Sequence, residues 1–135
     1  MGVTTLDTAY RLSPMQQGML LHNLDSPQSG AFIQQTVFTV NGDLQPDSFR
    51  LAWERVMDRH AVLRSGFRWE DVEVPLLELG TGVTLPIELD DWRDLTPTEH
   101  EYRLESYLRV DRRRGFDLAI APLMRLAMFR VDQSE

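Results

Sequence analysis

Residues 12–20 read Leu-Ser-Pro-Met-Gln-Gln-Gly-Met-Leu, and residues 59–67 read Arg-His-Ala-Val-Leu-Arg-Ser-Gly-Phe. The first stretch has the grammar of a helix start. Ser13 can cap the orphan amides, Pro14 falls at the first helical position where a missing N–H costs nothing, and Gln16 completes a capping box. The spacing predicts a helix from Ser13 to about Leu24, with Met15, Met19 and Leu20 on one apolar stripe. The second stretch closes another predicted helix, Pro46 to about His60. There Phe49, Ala52, Trp53, Val56, Met57 and His60 recur at three- and four-residue intervals and form a full amphipathic face. A histidine at the end of such a face is expected to be a hydrogen-bonded core residue, so His60 is read that way.

Between and beyond these helices the pattern changes period. Phe32 to Val40 is rich in β-branched and aromatic residues and predicts a strand, followed by the turn signal Asn41-Gly42. Gly66 to Leu79 reads as extended, with Pro75 marking an edge strand or a bulge. Gly80-Thr81-Gly82 is a loop, and Leu85 to Leu89 a short strand. Thr96-Pro97-Thr98-Glu99 is a second capping box, opening a helix to about Arg113 that buries Leu104, Tyr107 and Leu108. Leu123 to Val131 predicts a strand with no wholly polar face, which suits a central position. The order helix, strand, helix, strands, helix, strand implies a three- to five-stranded sheet with helices packed on it, an α/β or α+β unit.

Composition removes several function classes. The formal charge is −7, from 21 acids and 14 basic residues, so a nucleic-acid backbone would be repelled. Every basic residue is arginine, which excludes lysine Schiff bases and P-loop lysines, and the absence of cysteine excludes thiol catalysis, disulfides and thiolate metal sites. No apolar run reaches the ~20 residues of a membrane span. Met1 to Thr8 lacks the regions of a signal peptide and reads as an N-terminal extension before a unit at 9–135. A cytoplasmic protein is expected. Arg112-Arg113-Arg114 reads as a solvated helix end, His22 and His100 as surface residues, and the acids from Glu70 to Asp94 as a solvated edge that includes no calcium loop. No Gly-x-Ser-x-Gly surrounds Ser13, which argues against a serine hydrolase.

The two opening stretches, in this order and spacing, resemble the first two signature motifs of nonribosomal peptide synthetase condensation domains. The first, Leu-Ser-Pro-x-Gln-x-Gly-Met-Leu-(Phe/Leu)-His, is matched from Leu12 to His22, including Ser13, Pro14, Gln16, Gly18 and Met19. The second, Arg-His-x-x-Leu-Arg-(Thr/Ser)-x-Phe, is matched from Arg59 to Phe67, including His60, Leu63, Arg64 and Phe67. A third stretch, Gly115-Phe116-Asp117-Leu118 followed by Ala121 to Arg125, is similar to the segment that leads into the family's catalytic motif. Ala61 departs from a commonly acidic position, and Ser65 replaces threonine. The catalytic motif itself, His-His-x-x-x-Asp-Gly, does not occur in the 135 residues.

The resemblance implies a chloramphenicol-acetyltransferase-like fold of two lobes, with this chain forming most of the N-terminal lobe, a sandwich of mixed sheet and about three packed helices. A complete domain of that kind joins an upstream acyl or peptidyl thioester to the amine of a downstream aminoacyl thioester, both carried on phosphopantetheine arms of carrier proteins. The expected partners are those carrier proteins, the remainder of the domain and adjacent synthetase domains. No cofactor or metal is expected on the chain itself and no catalytic residue within it, so it is expected to be inactive alone. The resemblance also suggests a structural role for Arg64, an ion pair with the aspartate of the missing motif, beside the ordinary alternative of surface pairing near a helix end. Without that partner a buried Arg64 would carry an uncompensated charge, so it should be exposed or paired with another acid. Two alternatives stay open: a condensation-like interaction module that recruits a carrier protein or tailoring enzyme, and an acyltransferase using a coenzyme A thioester. A lobe without its partner should also self-associate through uncovered apolar surface.

Overall fold

A computed structural model describes residues 9–132. The extension at 1–8 and the last three residues lie outside them. The chain forms β1 (Ala9–Arg11), α1 (Pro14–Asp25), α2 (Pro46–Arg59), a 3₁₀ turn (Ala61–Arg64), β2 (Ser65–Arg68), β3 (Leu76–Leu79), β4 (Ile87–Asp91), α3 (Pro97–Arg114) and β5 (Leu126–Arg130).

Two of the helices begin where local chemistry dictates. Ser13 accepts a hydrogen bond from the Gln16 amide at 3.2 Å, while the Ser13 amide donates to Gln16 Oε1 at 2.8 Å. Thr96 and Glu99 repeat the exchange at the start of α3, where the Thr96 amide reaches Glu99 at 2.7 Å. α3 ends at Gly115, whose φ of 56° lies in a region that side-chain-bearing residues rarely adopt. α2 starts on Pro46 without a side-chain cap.

The strands form two sheets rather than one. An antiparallel sheet has the order β1-β3-β2, with Tyr10 opposite Leu77 and Phe67 opposite Leu77 from the other side. β4 and β5 form a parallel pair, Ile87 opposite Leu126 and Leu89 opposite Met128. α3 is the crossover between them, as a parallel pair requires. Tyr107 of α3 meets Phe129 of β5 edge-on at 5.0 Å, and Trp92 stacks flat on the same ring at 3.9 Å. Among the described residues, Leu12, Leu20, Met57, Leu85 and Trp92 are the buried apolar side chains.

Several sequence expectations are corrected. Phe32 lies in a turn and residues 33–40 join no ladder among the described residues, and Val37, Phe38 and Val40 are 53%, 77% and 58% exposed. Composition marks a strand, but a strand needs a pairing strand, and no described strand pairs with this segment. Pro75 precedes β3, which is the central strand of its sheet and no edge; the proline sits outside the ladder, where its missing N–H is harmless. β5, expected to be central, pairs on one side only. In α1 only Leu20 of the predicted stripe is buried, since Met15 is 72% exposed. In α2 Met57 is buried, whereas Ala52 and Val56 are exposed and Phe49 and Trp53 half-buried. The periodicity correctly reports a helix, but much of its apolar face has no cover.

Candidate functional site

The second motif folds into a compact joint between α2 and β2. The 3₁₀ turn brings Ser65 back over Ala61, and the buried Ser65 hydroxyl donates to the Ala61 carbonyl at 2.8 Å. Either a serine or a threonine hydroxyl can make this bond. Arg64, half-buried, donates from Nε to the Met57 carbonyl at 3.0 Å, satisfying one of the orphan carbonyls in the last turn of α2. It is neither exposed nor paired with an acid among the described residues, which corrects the expectation. A helix C-terminus is itself a partial negative charge, so the guanidinium finds compensation there. The terminal nitrogens of Arg64 make no hydrogen bond among the described residues, so a fork remains open to a carboxylate.

His60 is the C-cap residue of α2, and it is exposed rather than a core histidine. Position 60 has already left the helix, with φ of −116° and ψ of 94°, so the helical spacing from Met57 no longer decides where its side chain goes. Leu63 and Phe67 are half-buried, and the Phe67 amide donates to the Leu118 carbonyl at 2.7 Å. That bond brings the third motif stretch beside the second. Gly66 permits the approach: a Cβ there would lie 3.1 Å from the Ala119 carbonyl oxygen.

The first motif stays apart from this joint. Ser13, Pro14 and Gln16 account for the start of α1 and nothing further, while Gly18 and Met19 are exposed. A Cβ at Gly18 would meet nothing within 4 Å.

A network that the sequence does not announce ties the third stretch to α3. Arg125 pairs with Asp111 through Nε and donates from its terminal nitrogens to the Gly115 and Asp111 carbonyls. The two side chains are 12% and 15% exposed, and the guanidinium lies 4.2 Å over the Phe116 ring. Gln35 adds a second donor to Asp111 at 2.8 Å and another bond to the Leu108 carbonyl at 2.9 Å. Arg112, expected to be a solvated helix end, donates to the Ile33 carbonyl and to Gln35 Oε1 at 3.0 and 3.1 Å. These bonds fix both the start of β5 and the unpaired segment on one end of α3. The sign alternation Asp111-Arg112 is the single hint in the sequence; the partners lie 14 and 76 residues from Asp111.

The other acids are held locally. The Trp92 indole and the Asp91 amide hold Asp90 below the usual carboxylate range, and hydrogen bonds from Arg93 bring Asp91 down to about 2. Burial, helped by its hydrogen bond to Glu88, pushes the Tyr107 hydroxyl up to about 12. His100 is half-buried rather than on the surface, with Nε2 at 2.6 Å from the Trp92 carbonyl. Among the described residues no helix is long and apolar enough to cross a membrane.

Comparison with known proteins adds identity to this geometry. The family model described as "Condensation domain" matches residues 7–135. The chain is 41% identical over 130 residues to one of the linear gramicidin synthase proteins of Brevibacillus parabrevis, covering 96% of this chain and 2% of that protein. It is 31% identical over 126 residues to bacitracin synthase 1 of Bacillus licheniformis, covering 93% and 2% respectively. The chain thus spans a small fraction of the curated relatives it matches. Among solved structures, the starter condensation domain of rhizomide synthetase superposes with a TM-score of 0.75 at 22% identity, over 94% of this chain and 31% of that one. A tallysomycin biosynthesis protein gives 0.71 at 24% identity, over 93% and 30%. These two likenesses establish the fold.

Proposed function

This chain belongs to the condensation domain family, and from that premise we propose that it is the N-terminal portion of a domain that forms peptide bonds in nonribosomal peptide synthesis. The complete domain would join the acyl or peptidyl group of one carrier-bound thioester to the amine of a second. The observation that carries this reading is the family match over residues 7–135, with both opening motifs in place. Lacking His-His-x-x-x-Asp-Gly, the 135 residues supply framework and no catalytic base. Arg64 fits this role, because its terminal nitrogens face no described partner and can take the aspartate of that motif through two parallel hydrogen bonds.

The partners that follow are carrier proteins bearing phosphopantetheine arms, the remainder of the domain and neighbouring synthetase domains, in the cytoplasm. The exposed apolar side chains of Val37, Phe38 and Val40 support a second reading, an interaction module that recruits a carrier protein or tailoring enzyme without catalysing amide formation. The complete protein, supplied with two loaded carrier proteins, separates the two. Mass spectrometry should find an amide product on the downstream carrier. Carrier binding with no amide product would overturn the catalytic reading in favour of the second.

A further inference from the structure

The last two turns of α3 carry Arg109, Arg112 and Arg113 on one side, facing the loop of Gln28 and Ser29 across a shallow groove of about 420 Å³. In a chain of net charge −7 this grouping is unusual. Arg109 and Arg113 are exposed, and among the described residues neither has an ion pair or a hydrogen bond. They stand four residues apart on a helix, where like charges repel.

Arg112, between them, is fixed. It donates to the carbonyls of Gly30 and Ile33 and to Gln35 Oε1, three neutral acceptors that hold its position without cancelling its charge. The loop is shaped to close on it. Gly30 has a φ of 66°, and a Cβ there would lie 2.6 Å from Arg112 Cγ. The groove therefore has a cationic floor held by hydrogen bonds, two exposed guanidinium groups, and the polar side chains of Gln28 and Ser29 in its lining. The carbonyl end of α3 repels anions along the helix axis, but this groove opens on the side of the helix, where three guanidinium groups dominate. Guanidinium forks match the oxygens of a phosphate group better than they match a single-point anion.

We propose that this groove binds a phosphate group, such as that of a phosphate monoester. The proposal does not depend on the condensation reading, and its failure would leave family membership intact. The test is an NMR titration of the 135-residue chain with inorganic phosphate, sodium chloride balancing the ionic strength. Saturable shifts are expected at the side-chain Nε–H of Arg109, Arg112 and Arg113 and at the amides of Gln28 to Gly30. The double variant R109Q/R113Q, which removes no hydrogen bond or ion pair among the described residues, should weaken binding at least about tenfold. Arg55→Gln, on the exposed side of α2, should leave it unchanged. Gly30→Ala, by displacing Arg112, should weaken it as well. Shifts that never saturate, that chloride reproduces, or that survive in R109Q/R113Q would overturn the proposal.

Discussion

Asp111 shows how much one buried charge can govern. It pairs with Arg125, accepts from Gln35, and sits one residue before the arginine that anchors residues 30–35. Its replacement by asparagine would leave the Arg125 guanidinium buried and unpaired, a change that typically costs about 3 kcal/mol or more. Asp111→Asn should lower stability in urea by that amount, and adding Arg125→Met should recover part of the loss, since an apolar replacement removes the uncompensated charge. A midpoint within experimental error of the parent would contradict the role given to the pair. Tyr107 gives a prediction in pH. Its folded pKa is raised to about 12, above the ~10 of an unfolded tyrosine. Its contribution to stability is therefore complete below pH 10 and is lost as pH climbs from 10 through 12. Tyr107→Phe should flatten that alkaline limb; an unchanged profile would mean that another group controls it.

The elements show what is legible in a sequence and what is not. Both capping boxes are readable because their partners are three residues apart, within the reach of local chemistry. The 33–40 segment has strand composition, yet composition cannot supply the neighbouring strand, and its anchors on α3 are more than 70 residues away. The same limit hides the role of Arg125, which lies within a motif but far in sequence from its partner. Periodicity in α1 and α2 locates the helices correctly and overstates their burial, because it reports an apolar face whether or not anything covers it. Gly18 gives an element-scale test. It lies inside α1, where glycine is less favourable than alanine by about 0.5–1 kcal/mol, and none of the described residues occupies the space of a methyl group. Gly18→Ala should raise the melting temperature of this chain. A fall would mean that another molecule approaches the helix backbone closely, as in a self-associated form.

At the scale of the molecule, the chain exposes 10431 Å². A folded monomer of 15.6 kDa is expected to expose about 7,200 Å². The chain thus exposes more surface than a closed fold of its mass would. Exposed Met15, Leu21, Phe38 and Val40 and the free edge of β5 belong to that surface. Apolar patches and open strand edges of this kind associate in water. Light scattering should therefore find dimers or larger species at high concentration; a monodisperse monomer would contradict this.

On the proposed reading, the free terminal nitrogens of Arg64 would take the aspartate of a catalytic motif that lies beyond Glu135. The most direct measurement is the native reading frame beyond Glu135, together with the mass of the protein made in its source cell. The account predicts a frame that runs within a few tens of residues into His-His-x-x-x-Asp-Gly, with a mass to match. A native protein ending near Glu135, or continuing without that motif, would contradict a catalytic condensation domain and leave the interaction module.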